Sequence, residues 1–106
     1  MIALMVSSLR QAAIQEARKL WESQPVFLDT ETTGLHGRAE IVEISIIDYD
    51  GSVLFDKLVK PRQPIPRDAV TVHGITDDMV RDEKSWLHVW PDVEEVLANR
   101  FGKAFF

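Results

Sequence analysis

Two runs rich in β-branched residues, Ile41 to Tyr49 and Ser52 to Val59, are separated only by Asp50-Gly51. That dipeptide between two such runs is a strong hairpin signal, because a two-residue turn needs residues that tolerate a positive φ. The middle of the chain is therefore committed to an antiparallel pair. Its second arm places Val53, Phe55 and Val59 on one face and Leu54 and Leu58 on the other. A shorter apolar run, Val26 to Asp29, reads as a third strand, expected to be buried on both faces. The chain has 106 residues, enough for one domain and too few for two.

Helical signals flank these strands. Leu9, Ala13, Ala17 and Leu20 recur at helical spacing from Ser8 to Glu22, with Ile14 and Trp21 beside them. Ser7 or Ser8 is the candidate cap, and Pro25 stops the helix. Its polar face carries both signs of charge, so it reads as a helix packed on the domain and not as a membrane helix. After the strands, Pro61, Pro64 and Pro66 impose an extended connector. Arg67 to Val72 reads as a helical turn broken at His73-Gly74. Thr76 caps a short helix from Asp77 to about Arg81, with Asp77 and Asp78 in the first turn. Ser85 caps a further turn through Trp90, and Pro91 opens a separate helix to about Asn99, with Val93, Val96 and Leu97 as its apolar stripe. Phe101 to Phe106 fits no element.

The short strand ends in the run Phe27-Leu28-Asp29-Thr30-Glu31-Thr32-Thr33-Gly34-Leu35. Residues i and i+2 of a strand share a face, so Asp29 and Glu31 project side by side. Paired charges in such a place need compensation, and a divalent cation supplies it. Lys and Arg total 12 against 17 for Asp and Glu, a net charge of −5. This argues against gripping nucleic acid by a broad basic surface, but not against holding phosphates through bound cations. The chain has no cysteine. Disulfides and thiolate zinc sites are thereby excluded, which fits a cytoplasmic setting. No apolar run approaches transmembrane length, and Arg10 and Gln11 interrupt the apolar start before signal-peptide length.

In this context the segment resembles the first motif of the DEDD 3′–5′ exonucleases, the superfamily of proofreading exonucleases and ribonuclease T. Glu40 to Ser45 matches the family's second strand. Pro64-Ile65-Pro66 and the run from Val72 through His73-Gly74-Ile75-Thr76 to Val80 match its next signature. The resemblance implies an α/β, ribonuclease-H-like mixed sheet flanked by helices. It implies hydrolysis of phosphodiester bonds at the 3′ end of single-stranded DNA or RNA with two divalent cations, Mg2+ or Mn2+. Asp29 would touch both cations and Glu31 one. Thr32, Thr33, Gly34 and Leu35 would line the pocket of the terminal nucleotide, with Leu35 against a base. His73 lies near that pocket in the family without being the catalytic base. Its bland reading is a turn or packing residue. Glu43 shares a face with Ile41, Ser45 and Ile47; it either sits near the site or caps the sheet edge, and the second reading is preferred. His36 and His88 have no supporting context. Trp86 and Trp90 read as core anchors, not as stacking platforms.

The family's third acid arrives in a later Phe-Asp segment, and its fourth follows a His or Tyr that handles the water's proton. No Asp follows Asp92 here. The expectation is a packing helix over residues 1–24 and the N-terminal half of an exonuclease domain over 25–106. The C-terminal part of the fold would be missing, and the chain would be inactive or weakly active alone. The Asp29 strand would then form a sheet edge, open to self-association or to a complementary chain. A non-catalytic module that binds nucleic-acid ends, or other partners, is the alternative. A pseudogene-like product is the third reading.

Overall fold

A computed structural model describes residues 2–102, with side chains described from residue 8. The order of elements is α1 (Ile2–Glu22), β1 (Phe27–Thr32), β2 (Ile41–Ile47), β3 (Val53–Leu58), α2 (Arg67–His73), α3 (Asp77–Val80) and α4 (Trp86–Phe101). The strands form one antiparallel sheet in the order β1-β2-β3. The parallel pairing expected of a mixed sheet is confined, among the described residues, to a single bridge between Lys60 and Ser85.

The hairpin forms, but its loop is one residue longer than the two-residue turn expected: the Asp48 N–H donates to the Ser52 carbonyl at 2.8 Å and the Gly51 N–H to the Asp48 carbonyl at 2.9 Å, which leaves Tyr49-Asp50-Gly51 as the loop. Gly51 has φ 90°, and Asp50 Oδ1 accepts from both the N–H and the hydroxyl of Ser52, at 2.9 and 2.6 Å. These bonds hold the Asp50 carboxyl below its ordinary pKa.

β2 alternates strictly, with Val42, Ile44 and Ile46 buried and the residues between them half-buried. Its buried face divides between two clusters. Ile44 and Ile46 pack with Val59 and with Val89, Val93 and Leu97 of α4. Val42 packs with Ile65, Ala69, Ile75 and Val80, which brings α2 and α3 against the sheet.

α4 departs from the expected pair of helices, because it runs unbroken through Pro91. A proline inside a helix forfeits one hydrogen bond and crowds the preceding turn. Here Val89, Val93 and Leu97, spaced at four residues, lie buried on one face on both sides of it, and that burial outweighs the lost bond. Trp86 and Trp90 stack along the same helix with centroids 5.7 Å apart and pack on the core, as anchors should. Phe101 ends α4 and Gly102, in the left-handed region, caps it. Residues 103–106 lie outside the described residues.

Two expectations fail at the start of the domain. The side chains of α1 from Ser8 onward are exposed, including Leu9, Leu20 and Trp21; Trp21 meets Tyr49 at the sheet end in an edge contact. β1 is not a strand buried on both faces. It is an edge strand with Phe27 and Leu28 more than half exposed, because no strand among the described residues pairs beyond it and α4 covers β2 and β3.

The far end of α4 is tied down by Arg100. Its Nε donates to Asp48 Oδ1 at 2.9 Å and its Nη2 to the Gln24 carbonyl at 2.7 Å. The guanidinium lies against the rings of Tyr49 and Phe101. Both side chains of the ion pair are mostly buried. Arg100→Ala is expected to lower unfolding free energy by roughly 1–3 kcal/mol, below the range for a fully buried pair because some solvent reaches this one. Urea unfolding measures it.

Candidate functional site

The site is built on β1 and on the loop that follows it. Asp29 stands opposite Ser45 and Glu31 opposite Glu43 in the β1–β2 register, and Ser45 in turn stands opposite Asp56 of β3. Directly opposed residues share a face, so Asp29, Glu31, Glu43 and Asp56 gather on the side of the sheet that α4 does not cover. Asp29 is exposed and Glu31 half-buried. The Ser45 hydroxyl donates to Asp56 Oδ1 at 2.9 Å.

Glu43 corrects the preferred reading from sequence and agrees with the other one, a place near the acids. It is not a cap at the sheet edge; it lies on the central strand as the cross-strand neighbour of Glu31. Its carboxyl is held above the ordinary range, first by burial and then by the charges of Asp56, Glu31 and Asp29, with His73 opposing. A carboxyl whose pKa is raised on folding contributes stability that is complete below its unfolded pKa and lost as pH rises through the folded value. At neutral pH, Glu43 therefore weighs against the fold. Glu43→Gln is expected to stabilise the metal-free protein at pH 7 by on the order of 0.5 kcal/mol, the scale of a relieved like-charge pair across strands. The difference in melting temperature between the two proteins should close below about pH 4.

The residues after the acids form a closed loop. The Thr33 N–H donates to the Glu40 carbonyl and the Glu40 N–H to Thr33 Oγ1, both at 2.9 Å. Thr33 is buried, so its hydroxyl clamps the loop. Thr32 Oγ1 donates to the Gly34 carbonyl at 2.7 Å. A β-carbon at Gly34 would meet the His36 ring at 3.0 Å, and His36 Nδ1 accepts from the Arg38 N–H. Leu35, between these anchors, is fully exposed at the loop tip. His88 is exposed on α4 and belongs to no site.

His73, far along the chain, reaches this region. Its Nε2 lies 3.0 Å from the Thr32 carbonyl oxygen, and its Nδ1 accepts from the Ile75 N–H at 3.0 Å. Both ring nitrogens are thus engaged by main chain.

Glu40 carried no functional reading from sequence, yet it organises the next loop. Its carboxylate accepts from the Arg62 N–H, from Arg62 Nε and from the Gln63 N–H. Burial pushes its pKa up, but these bonds together outweigh burial and hold it below the ordinary value. The only available signal was an acid placed just before a strand. Its partners, more than twenty residues away, cannot be read from spacing.

Asp29 and Glu31 with Glu43 do not form a finished metal cage. Among the described residues, no group of three or more Asp, Glu, His or Cys side chains converges closely enough to enclose a cation. Two adjacent carboxylates suffice for a hydrated Mg2+, whose remaining positions are taken by water or substrate phosphate. The donor set therefore fits a half-site. A concavity of about 560 Å3 lies elsewhere, lined in part by Ile41, Pro61, Arg62 and Trp86. None of the four acids lines it, and the physical case for chemistry stays with the acids. No helix among the described residues is long and apolar enough to cross a membrane.

Residues 26–104 match the family model RNase_T, described as an exonuclease. An uncharacterized exonuclease, CP81, of Escherichia phage 186 is 44% identical over 95 residues, covering 89% of this chain and 47% of that protein. Exodeoxyribonuclease 10 of Escherichia coli K12 is 38% identical over 82 residues, covering 74% of this chain and 33% of that protein. Among solved structures, exonuclease X in complex with 5′ overhanging duplex DNA matches with a TM-score of 0.55 and 39% identity, over 64% of this chain and 42% of that one. The chain spans half or less of the length of these relatives.

Proposed function

This chain belongs to the RNase_T exonuclease family, and on that premise we propose that it hydrolyses phosphodiester bonds at the 3′ ends of nucleic-acid strands with divalent cations held at Asp29 and Glu31. Its partial fold is the ribonuclease-H-like one of its structural relatives. The observation that carries the proposal is the placement of both acids on one uncovered face of β1, immediately before the Thr32–Leu35 loop.

Each part of the site has a role in this reading. Asp29 and Glu31 hold the cation, Mg2+ or Mn2+. A bound divalent cation supplies activation of water and neutralises charge on the scissile phosphate. The Thr32–Gly34 bond and the Thr33 clamp keep the loop in one shape, so that its backbone can meet a terminal sugar. Leu35 is free to press on the last base. The DNA bound by exonuclease X supports DNA as one substrate class. The remaining acids would come from sequence beyond the matched half or from another polypeptide, and the open β1 edge offers a strand for that partner or for a second copy.

The test uses single-stranded oligonucleotides labelled at either end, with and without Mg2+ or Mn2+. Metal-dependent release of mononucleotides from the 3′ end is expected, at trace level from the chain alone. It should rise when a polypeptide carrying the later family acids is added. Cleavage that proceeds equally in EDTA, or from the 5′ end, would overturn the proposal.

A further inference from the structure

We propose that His73 is a positioning residue of this site: it anchors the Thr32 carbonyl at a β-bulge and so fixes where Glu31 stands. The inference rests on the reading that Asp29 and Glu31 hold the cation.

The register shows why an anchor is needed there. Glu31 pairs with Glu43, but the next residue, Thr32, pairs with Ile41, so Val42 is the extra residue of a bulge. A bulge interrupts the ladder and re-aims the side chains beside it. At this bulge the Thr32 carbonyl oxygen meets His73 Nε2 at 3.0 Å. Because Nδ1 accepts a backbone N–H, the ring proton sits on Nε2. The neutral imidazole therefore donates to the carbonyl, an assignment that follows from the bonding partners.

His73 is in turn well held. α2 stops at Gly74, whose φ of 75° suits glycine and whose N–H donates to the Val70 carbonyl. Ile75, which supplies the N–H to Nδ1, is buried in the same cluster as Val42, the bulged residue itself. One cluster therefore secures both the bulge and the ring that bridges to it. With both nitrogens committed, the ring acts on the site through Thr32 and not by donating to a nucleotide.

Two conservative variants separate this role from a plain helix-end role. Asparagine places its amide near the position of Nδ1, and glutamine near that of Nε2. His73→Asn can still accept from Ile75 but loses Thr32; His73→Gln can still donate to Thr32 but loses Ile75. If His73 positions Glu31, His73→Asn weakens Mn2+ binding by about 10-fold or more, the scale for losing a group that orients a ligand, while His73→Gln stays within about threefold of wild type. In the metal-free protein, hydrogen exchange at the Thr33 amide, which bonds Glu40, should accelerate in His73→Asn and not in His73→Gln.

The reverse order of the two variants, or equal behaviour in both readouts, would overturn the inference. Mn2+ binding that wild type and Asp29→Ala share would instead overturn the cation reading of Asp29. Thr33 exchange then decides alone whether His73 anchors the bulge.

Discussion

Asp29→Ala is expected to reduce metal-dependent 3′ hydrolysis by about 100-fold or more, the scale on which loss of a preorganised electrostatic group acts. The assay is end-labelled oligonucleotide cleavage, run on the chain and on any complex that completes the site. Folding should barely change, because Asp29 lies exposed on an edge strand, on the face that α4 does not cover. Relief of charge near Glu43 even favours the metal-free fold slightly, since Asp29 is one of the charges that raise the Glu43 pKa. A loss of activity with an unchanged melt therefore points to the site and not to the scaffold. Activity that survives the substitution would place the chemistry on other residues or in a contaminating nuclease.

The sequence exposed some of this site plainly and hid the rest for physical reasons. Local rules held where the determinant is local. Gly51 takes the positive φ of the hairpin loop, Thr76 accepts the Met79 N–H as a cap should, and Gly74 stops α2. Asp29 and Glu31 share a face because strand periodicity requires it. The misreadings concern neighbours. An apolar strand looks the same at an edge as in the middle of a sheet, so Val26 to Asp29 alone read as buried on both faces; the edge position and the exposure of Phe27 and Leu28 follow only from the expectation that the later strands are missing. Glu43 looked peripheral because its meeting with Glu31 depends on register, and register depends on the hairpin and the bulge. Pro91 was read as a helix start because its cost is local, while the burial of Val89, Val93 and Leu97 that outweighs it is tertiary.

Ile46→Ala is expected to destabilise the protein by about 2–5 kcal/mol, enough to abolish much of the roughly 5–15 kcal/mol a domain has. Ile46 is 0% exposed and packs in the cluster that joins the sheet to α4. Leu28 is its direct cross-strand neighbour on the same face, yet is 54% exposed. Leu28→Ala is therefore expected to cost less than about 1 kcal/mol, since little apolar area leaves or enters water. The contrast within one cross-strand pair, read by urea unfolding at low protein concentration, isolates burial from strand propensity. It also tests the β1 edge. If Leu28→Ala proves as costly as Ile46→Ala, and only as protein concentration rises, Leu28 is covered in solution by a second copy pairing along β1. If the cost is small at every concentration, the edge stays open in the isolated chain. That open edge is where a further strand of the family fold would pair.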